Sequence, residues 1–202
     1  VDRIFFFEGA VMDGVPVFNL VRETMPAVAV QGFRGVINTT CNFILSELER
    51  GKDFEPALAD MQARGIAEAD PTLDVEGWDA AVKAAALVNV LMGSVMSPHH
   101  VSRVGIRTVT PQDVHDARVR GRRIRLVASA SRHGGRVHAR VEPELLDKLD
   151  PLANLVDLEN ALYLQTDLLG EIGIVQRSGS LTQTAYALVS DLSRISQRLK
   201  DL

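Results

Sequence analysis

Cysteine is nearly missing: Cys41 is the one thiol in 202 residues, which excludes an internal disulfide framework and is compatible with a reducing cytoplasm. No apolar stretch approaches the ~20 residues of a membrane span, and the first residues lack the basic-then-apolar order of a secretion signal. No Gly-x-Gly-x-x-Gly follows a strand-like run, so the chain carries no dinucleotide-binding fingerprint. Positive charge is in the minority, with 22 Lys and Arg against 26 Asp and Glu and a formal net charge of -4. That balance argues against nucleic acid or an anionic membrane as the main partner. The basic run Arg118-Val119-Arg120-Gly121-Arg122-Arg123 has no aromatic residues interleaved and reads as a solvated helix end and strand start. His99, His100, His115, His133 and His138 fall into no metal-ligand spacing and read as surface residues. Ser178-Gly179-Ser180 lacks nucleophile-elbow spacing and reads as a turn.

What the chain does have is an unusual concentration of acid. Between Gly65 and Lys83 lie Glu68, Asp70, Asp74, Glu76 and Asp79, grouped around Pro71. Pro71 disfavours helix at the preceding residue and has no amide to donate, so Glu68 to Asp74 reads as a carboxylate-lined loop. Asp74 is then a competent N-cap, Glu76 lies in the first turn, and Val75, Trp78, Val82, Ala85, Asn89 and Met92 recur at helical spacing up to Gly93. On that helix Asp79 and Lys83 are four residues apart and share a face, with the acid on the favourable N-terminal side. Such a pair is ordinary on a solvated helix, but here the acidic loop enters the same helix. A lysine beside acids at a helix entrance can hold an anion or donate a proton. Glu68, Asp70 and Asp74 could chelate a divalent cation, yet their spacing does not match a calcium loop. Lys83 nearby favours a pocket for an amino acid's ammonium group.

Helix and strand signals are segregated along the chain. Ile4 to Phe7 reads as a short buried strand, Val17 to Met25 as a helix ended by Pro26, and Val28 to Val36 as a strand. Thr39 or Thr40 is expected to cap a helix stopped by Gly51, and Asp53 to cap the next, with Gly65 past its end. Thr110-Pro111 opens a short helix, His133-Gly134-Gly135 joins Ile124–Ser131 to Arg136–Val141 as a hairpin, and Ala161–Thr166 pairs with Glu171–Arg177. A long helix follows from Leu181 to Leu199. This order predicts an α+β fold, a mostly antiparallel mixed sheet with helices packed on one face. Cys41, near a helix start without a histidine partner, reads as a buried structural residue.

Four ordered segments carry a resemblance. Glu68-Ala69-Asp70-Pro71, followed by Asp74-Val75-Glu76-Gly77-Trp78-Asp79 and then Lys83, is similar to the Glu-x-Asp-Pro and Asp-Val-x-Gly-x-Asp-x-x-x-Lys signature of homoserine dehydrogenases. Phe7-Glu8-Gly9-Ala10-Val11-Met12-Asp13-Gly14-Val15-Pro16, Gly35-Val36-Ile37-Asn38-Thr39-Thr40-Cys41-Asn42, and Pro151-Leu152-Ala153-Asn154 with Asn160-Ala161 resemble further segments of that family. The resemblance implies reversible hydride transfer between NAD(P)H and aspartate semialdehyde, giving homoserine. In that scheme Lys83 supplies the proton, Asp79 holds Lys83, Glu68 binds the substrate ammonium, and Asp74 with Thr39 and Thr40 completes the pocket. It also implies a monovalent cation at Glu8, Val11, Asp13 and Val15, a segment that otherwise reads as a simple turn. Residues 1–202 would then form one catalytic and dimerisation domain of a cytoplasmic homodimer, with the family's dinucleotide-binding domain outside the chain. An apolar dimer interface is expected between Ile124 and Gln176, with the carboxylate pocket facing away. Thr39 stands for the family's glycine, Ile66 for its tyrosine, and Arg177 to Ala185 for a glycine-rich turn. Two further readings therefore stand beside the first: a similar oxidoreductase for another small carbonyl substrate, and a non-catalytic binding or dimerisation module.

Overall fold

The computed structural model describes residues 4–65, 68 and 70–200, so Ile66 lies outside the described residues. A six-stranded open sheet has the order β2-β4-β3-β1-β5-β6. Its strands are β1 (Val30–Val36), β2 (Ser102–Arg103), β3 (Arg122–His133), β4 (Arg136–Asp147), β5 (Asn160–Thr166) and β6 (Glu171–Gln176). All pairings are antiparallel except that of β2 with β4, as the α+β reading anticipated. Gly134 and Gly135 both have positive φ and close the β3–β4 hairpin with His133 opposite Arg136, the geometry a two-residue turn of the primed type demands. The hairpin is longer than its apolar run suggests, because charged and polar residues continue the pairing to Arg122 and Asp147.

Residues opposite one another across strands share a face. The row Leu162–Gly35–Ala128–Val141 is buried under helices. The adjacent row Tyr163–Arg34–Ser129–Arg140 faces the other way. There Arg34 bridges Glu144 and Asp150, each at 3.0 Å. The turn at Pro151–Asn154 covers the apolar end of this second face, burying Leu152 and Ala153 with Val36, Val127 and Ala161. What stays open is a groove of about 1140 Å³ lined by residues such as Arg34, Ser129, Ser131, His138, Arg140 and Glu142. The groove mixes these polar residues with Phe33, Met96, Val137 and Ala139, and between Ile124 and Gln176 the side chains of Leu145, Leu149, Leu168, Leu169 and Val175 stay exposed.

The eight helices of the described residues are α1 (Gly9–Met12), α2 (Val17–Thr24), α3 (Thr39–Glu49), α4 (Phe54–Ala63), α5 (Thr72–Val75), α6 (Trp78–Leu91), α7 (Pro111–Val119) and α8 (Leu181–Lys200). None is long and apolar enough to cross a membrane. α6 lies against β3 and β4 and buries Ala80, Ala81, Ala84, Ala85, Leu87, Val88 and Leu91; of the expected stripe Val75, Ala85 and Met92 are buried, while Val82 is exposed. The four alanines let the helix approach the sheet closely, and Leu87, Val88 and Leu91 fill the rest of the contact.

Other boundaries moved for local reasons. Ile4 to Phe7 forms no strand: it has no neighbour to pair with, Phe5 is exposed, and Phe7 packs edge-on against Phe18 with Arg22 over its ring. Asn38, not Thr39 or Thr40, is the N-cap of α3. Asp53 occupies the N-cap position of α4 without a side-chain cap bond. The predicted single helix from Asp74 is broken in two. Pro71 precedes the one-turn α5, and Gly77, at φ +79°, turns the chain into α6, so Asp74 lies inside α5 instead of capping α6. Arg103 stacks 3.9 Å over the Trp78 ring and donates to the Glu76 carbonyl, bracing that turn. Gly105 is forced by close approach: a Cβ there would lie 2.2 Å from the Val75 carbonyl oxygen. The Val75 carbonyl in turn accepts from Ile106 N–H at 2.8 Å.

Candidate active site

The site forms where the central strand runs into α3, opposite α5 and the first turns of α6. Asn38 has extended backbone, and its side-chain Oδ1 accepts from Cys41 N–H at 2.8 Å, the usual N-cap bond. The capping oxygen points into the helix, which turns the amide nitrogen outward. That Nδ2 donates to Asp74 Oδ1 at 2.6 Å and to Asp79 Oδ2 at 2.8 Å. Asp79 Oδ2 also lies 2.9 Å from Lys83 Nζ. Lys83 donates in addition to the Ile37 carbonyl at 3.1 Å. An ammonium has three N–H groups, and the third has no hydrogen-bond partner among the described residues. Lys83 is 23% exposed and Asp79 33%, so the pair sits at a rim that a small molecule can reach.

The expected residues Lys83, Asp79 and Asp74 are therefore brought together, and the Thr40 side chain lies close enough to Asp74 to favour its charge. Thr39 is adjacent but differently engaged, its hydroxyl accepting from Asn160 Nδ2 at 3.0 Å. Glu68 is exposed and makes no hydrogen bond to this group; its backbone carbonyl accepts from Gln62. Asn38 was missed as a functional residue. The signal for it was present, since Asn ranks with Asp and Ser as the best N-cap and precedes Thr39-Thr40. Cys41 is buried, its thiol donating to the Asp74 carbonyl at 3.2 Å and held well above its ordinary pKa by burial, then by Asp74 and Asp79. It is structural, as read.

Burial pushes the Asp74 carboxyl above its ordinary pKa of 3.8; the Asn38 bond opposes this, the Asp79 charge adds to it, and the Thr40 side chain and Lys83 oppose it. An acid whose folded pKa is raised binds more protons folded than unfolded. Its ionised form therefore costs stability, fully above the raised value and vanishing as pH falls below the unfolded value near 3.8. Asp74→Asn keeps an acceptor for Asn38 and is expected to raise Tm at pH 7, with the gain shrinking toward pH 4. Thermal melts across that range test it, and a lower Tm at pH 7 would show that the charge stabilises the fold.

A cleft of about 260 Å³ adjoins this cluster, lined by Thr39, Thr40, Arg64, Asp13, Ser180 and Thr184 among others. The family profile described as homoserine dehydrogenase matches residues 16–193. The chain belongs to the homoserine dehydrogenase family. It is 38% identical over 194 residues to the NAD(+)-dependent homoserine dehydrogenase of Pseudomonas canavaninivorans, covering 96% of this chain and 55% of that protein. It is 37% identical over 198 residues to the homoserine dehydrogenase of Methanocaldococcus jannaschii, covering 98% and 57%. The crystal structure of a homoserine dehydrogenase from Thiobacillus denitrificans superposes with a TM-score of 0.85 at 37% identity, covering 92% of this chain and 43% of that one. That from Thermoplasma acidophilum gives 0.82 at 26% identity, with 95% and 57% covered. The chain thus spans about half the length of the curated homoserine dehydrogenases it matches.

The segment expected to hold a cation also ties α1 to α2. The Glu8 carboxylate accepts from Phe18 N–H at 2.7 Å and Asn19 N–H at 3.0 Å, capping α2. Val11 is buried in α1, Asp13 Oδ1 accepts from Thr184 at 3.3 Å, and the Val15 carbonyl accepts from Val17 N–H at 2.8 Å. No group of three or more His, Cys, Asp or Glu among the described residues is arranged to hold a metal.

Proposed function

We propose that this chain forms the substrate-facing part of an NAD(P)-dependent oxidoreductase that interconverts aspartate semialdehyde and homoserine. The observation that carries the reading is Lys83: an ammonium held by Asp79 and the Ile37 carbonyl, with its remaining N–H open at the rim. Nicotinamide nucleotide supplies the hydride in the reductive direction. The aldehyde oxygen then becomes an alkoxide, and a positioned proton donor or positive charge at that oxygen lowers the barrier. Lys83 gives the proton, and in the oxidative direction neutral Lys83 takes it from the hydroxyl. Asp79 fixes the lysine through their ion pair at 2.9 Å. Asp74 and Thr40 border the amino-acid end, and Glu68, on the neighbouring loop, is available to meet the substrate ammonium.

The antiparallel core offers no crevice at the carboxyl ends of parallel strands, the usual seat of a dinucleotide. The described residues therefore fit the reacting end of the nucleotide, at the Thr39 cleft, better than its whole length. We place the rest of it on a dinucleotide-binding domain that these 202 residues do not contain. The protein is further proposed to act as a homodimer in the cytoplasm, pairing through the open sheet face beside Arg34 and Arg140. Residues on the opposite, helical side of the sheet carry the site, so pairing would leave it accessible.

The test is the complete enzyme, assayed for aspartate-semialdehyde-dependent oxidation of NADH and of NADPH and for the reverse reaction with homoserine, with light scattering on the same sample. Turnover in both directions by a dimer is expected. A folded enzyme inert toward both substrates would overturn the assignment, and a monomer at low micromolar concentration would overturn the pairing. Micromolar binding of nucleotide to the 202 residues alone, by calorimetry, would show that the cofactor site is misplaced.

A further inference from the structure

Asn38 does more than cap a helix. Its amide group is shared among three elements: Oδ1 on the first turn of α3, and Nδ2 on Asp74 of α5 and Asp79 of α6. These partners lie 36 and 41 residues away in the chain, and Asn38 is itself 3% exposed. We propose that Asn38 is the positioning residue of the proton-transfer site, acting as the neutral bridge that lets two carboxylates stand together beside Lys83. The inference rests on the assignment of Lys83 above.

The chemistry requires such a bridge. Two carboxylates facing one another repel unless a donor lies between them, and the usual relief is for one to take up a proton. A carboxamide nitrogen offers both of its hydrogens without adding charge. It thereby leaves the Lys83 ammonium paired with Asp79 alone, instead of shared between two acids. The same residue fixes the other contact of the lysine, because the Ile37 carbonyl that accepts from Nζ precedes Asn38 directly. The charged and titratable groups facing the bridge are Asp74 on α5, Asp79 and Lys83 on α6, and the buried thiol of Cys41 on α3.

Two substitutions separate bridging from capping. Asn38→Asp keeps an excellent N-cap but replaces the donor by a third carboxylate, and Asn38→Gly removes the bridge at little cost to the cap, since glycine is itself a tolerated N-cap. Loss of hydrogen bonds to charged groups is expected to lower kcat of the complete enzyme by roughly tenfold or more in both variants. In Asn38→Asp the acid limb of the kcat/KM profile should move to higher pH, since the crowded carboxylates hold a proton more tightly. Asn38→Gly should not shift that limb upward to the same extent, which distinguishes charge from packing. Folded variants with wild-type kcat and an unmoved acid limb would overturn the role. Lys83→Ala in the same series keeps two failures apart: normal kcat there sinks the site assignment, whereas a slow Lys83→Ala enzyme beside a normal Asn38→Gly one sinks only the bridge.

Discussion

Lys83→Ala is expected to lower kcat by roughly 10²-fold or more, the scale of a lost general acid, without unfolding the protein. Stability should survive because Lys83 sits at a rim, and its pairing with Asp79 is of the i,i+4 kind worth only about 0.2–0.5 kcal/mol. The defect should fall on kcat more than on the KM for the amino-acid substrate, since the ammonium meets a charge that develops during reaction. Steady-state kinetics with a circular dichroism melt as control decide the matter. A well-folded variant with near-normal kcat would remove Lys83 from the chemistry.

The largest effect on stability is expected on the far side of α3. Arg125 is completely buried, yet it belongs to a sheet strand and faces the end of a helix. Its Nη1 reaches Glu49 Oε1 at 2.7 Å, its Nε donates to the Leu155 carbonyl at 2.9 Å, and its Nη2 has no partner among the described residues. Arg123 meets the other Glu49 oxygen at 2.8 Å. Glu49→Ala would leave the guanidinium buried without a counter-charge, which should cost about 3–5 kcal/mol. For a domain of this size each kcal/mol corresponds to roughly 2–4 °C in Tm, so urea and thermal melts will resolve the change easily. Combining Glu49→Leu with Arg125→Met should recover much of the loss, because apolar replacements need no partner. A single Glu49→Ala variant within about 1 kcal/mol of wild type would mean that the free Nη2 side of Arg125 already has access to water.

The sequence carried the chemistry further than it carried its geometry. Asp79 and Lys83 were legible because their relation is local: four residues on one helix fix a distance whatever the rest of the fold does. The β3–β4 hairpin was legible for the same reason, its glycines stating the turn. Asn38 was not, since its meaning depends on two carboxylates 36 and 41 residues downstream that only the packing of α5 and α6 against α3 brings near. The break at Gly77 escaped because Asp74 is itself a good N-cap, and nothing local says that Pro71 starts a separate turn first. The aromatic run at Phe5 to Phe7 was misjudged for the opposite reason. Strand propensity is a preference for a half-covered sheet surface, and no strand lies beside it to provide one.

The two sides of the site are held very differently. β1 is paired with β5 on one side and, from Gly32 to Gly35, with β3 on the other, so its backbone amides are expected among the slowest of the domain to exchange. Ile37, whose carbonyl holds Lys83, directly follows that strand. Asp74, by contrast, rides on a single turn of helix between a proline and a left-handed glycine. Any tightening of the site around a bound amino acid must then come from the carboxylate side, closing against an ammonium whose seat does not breathe.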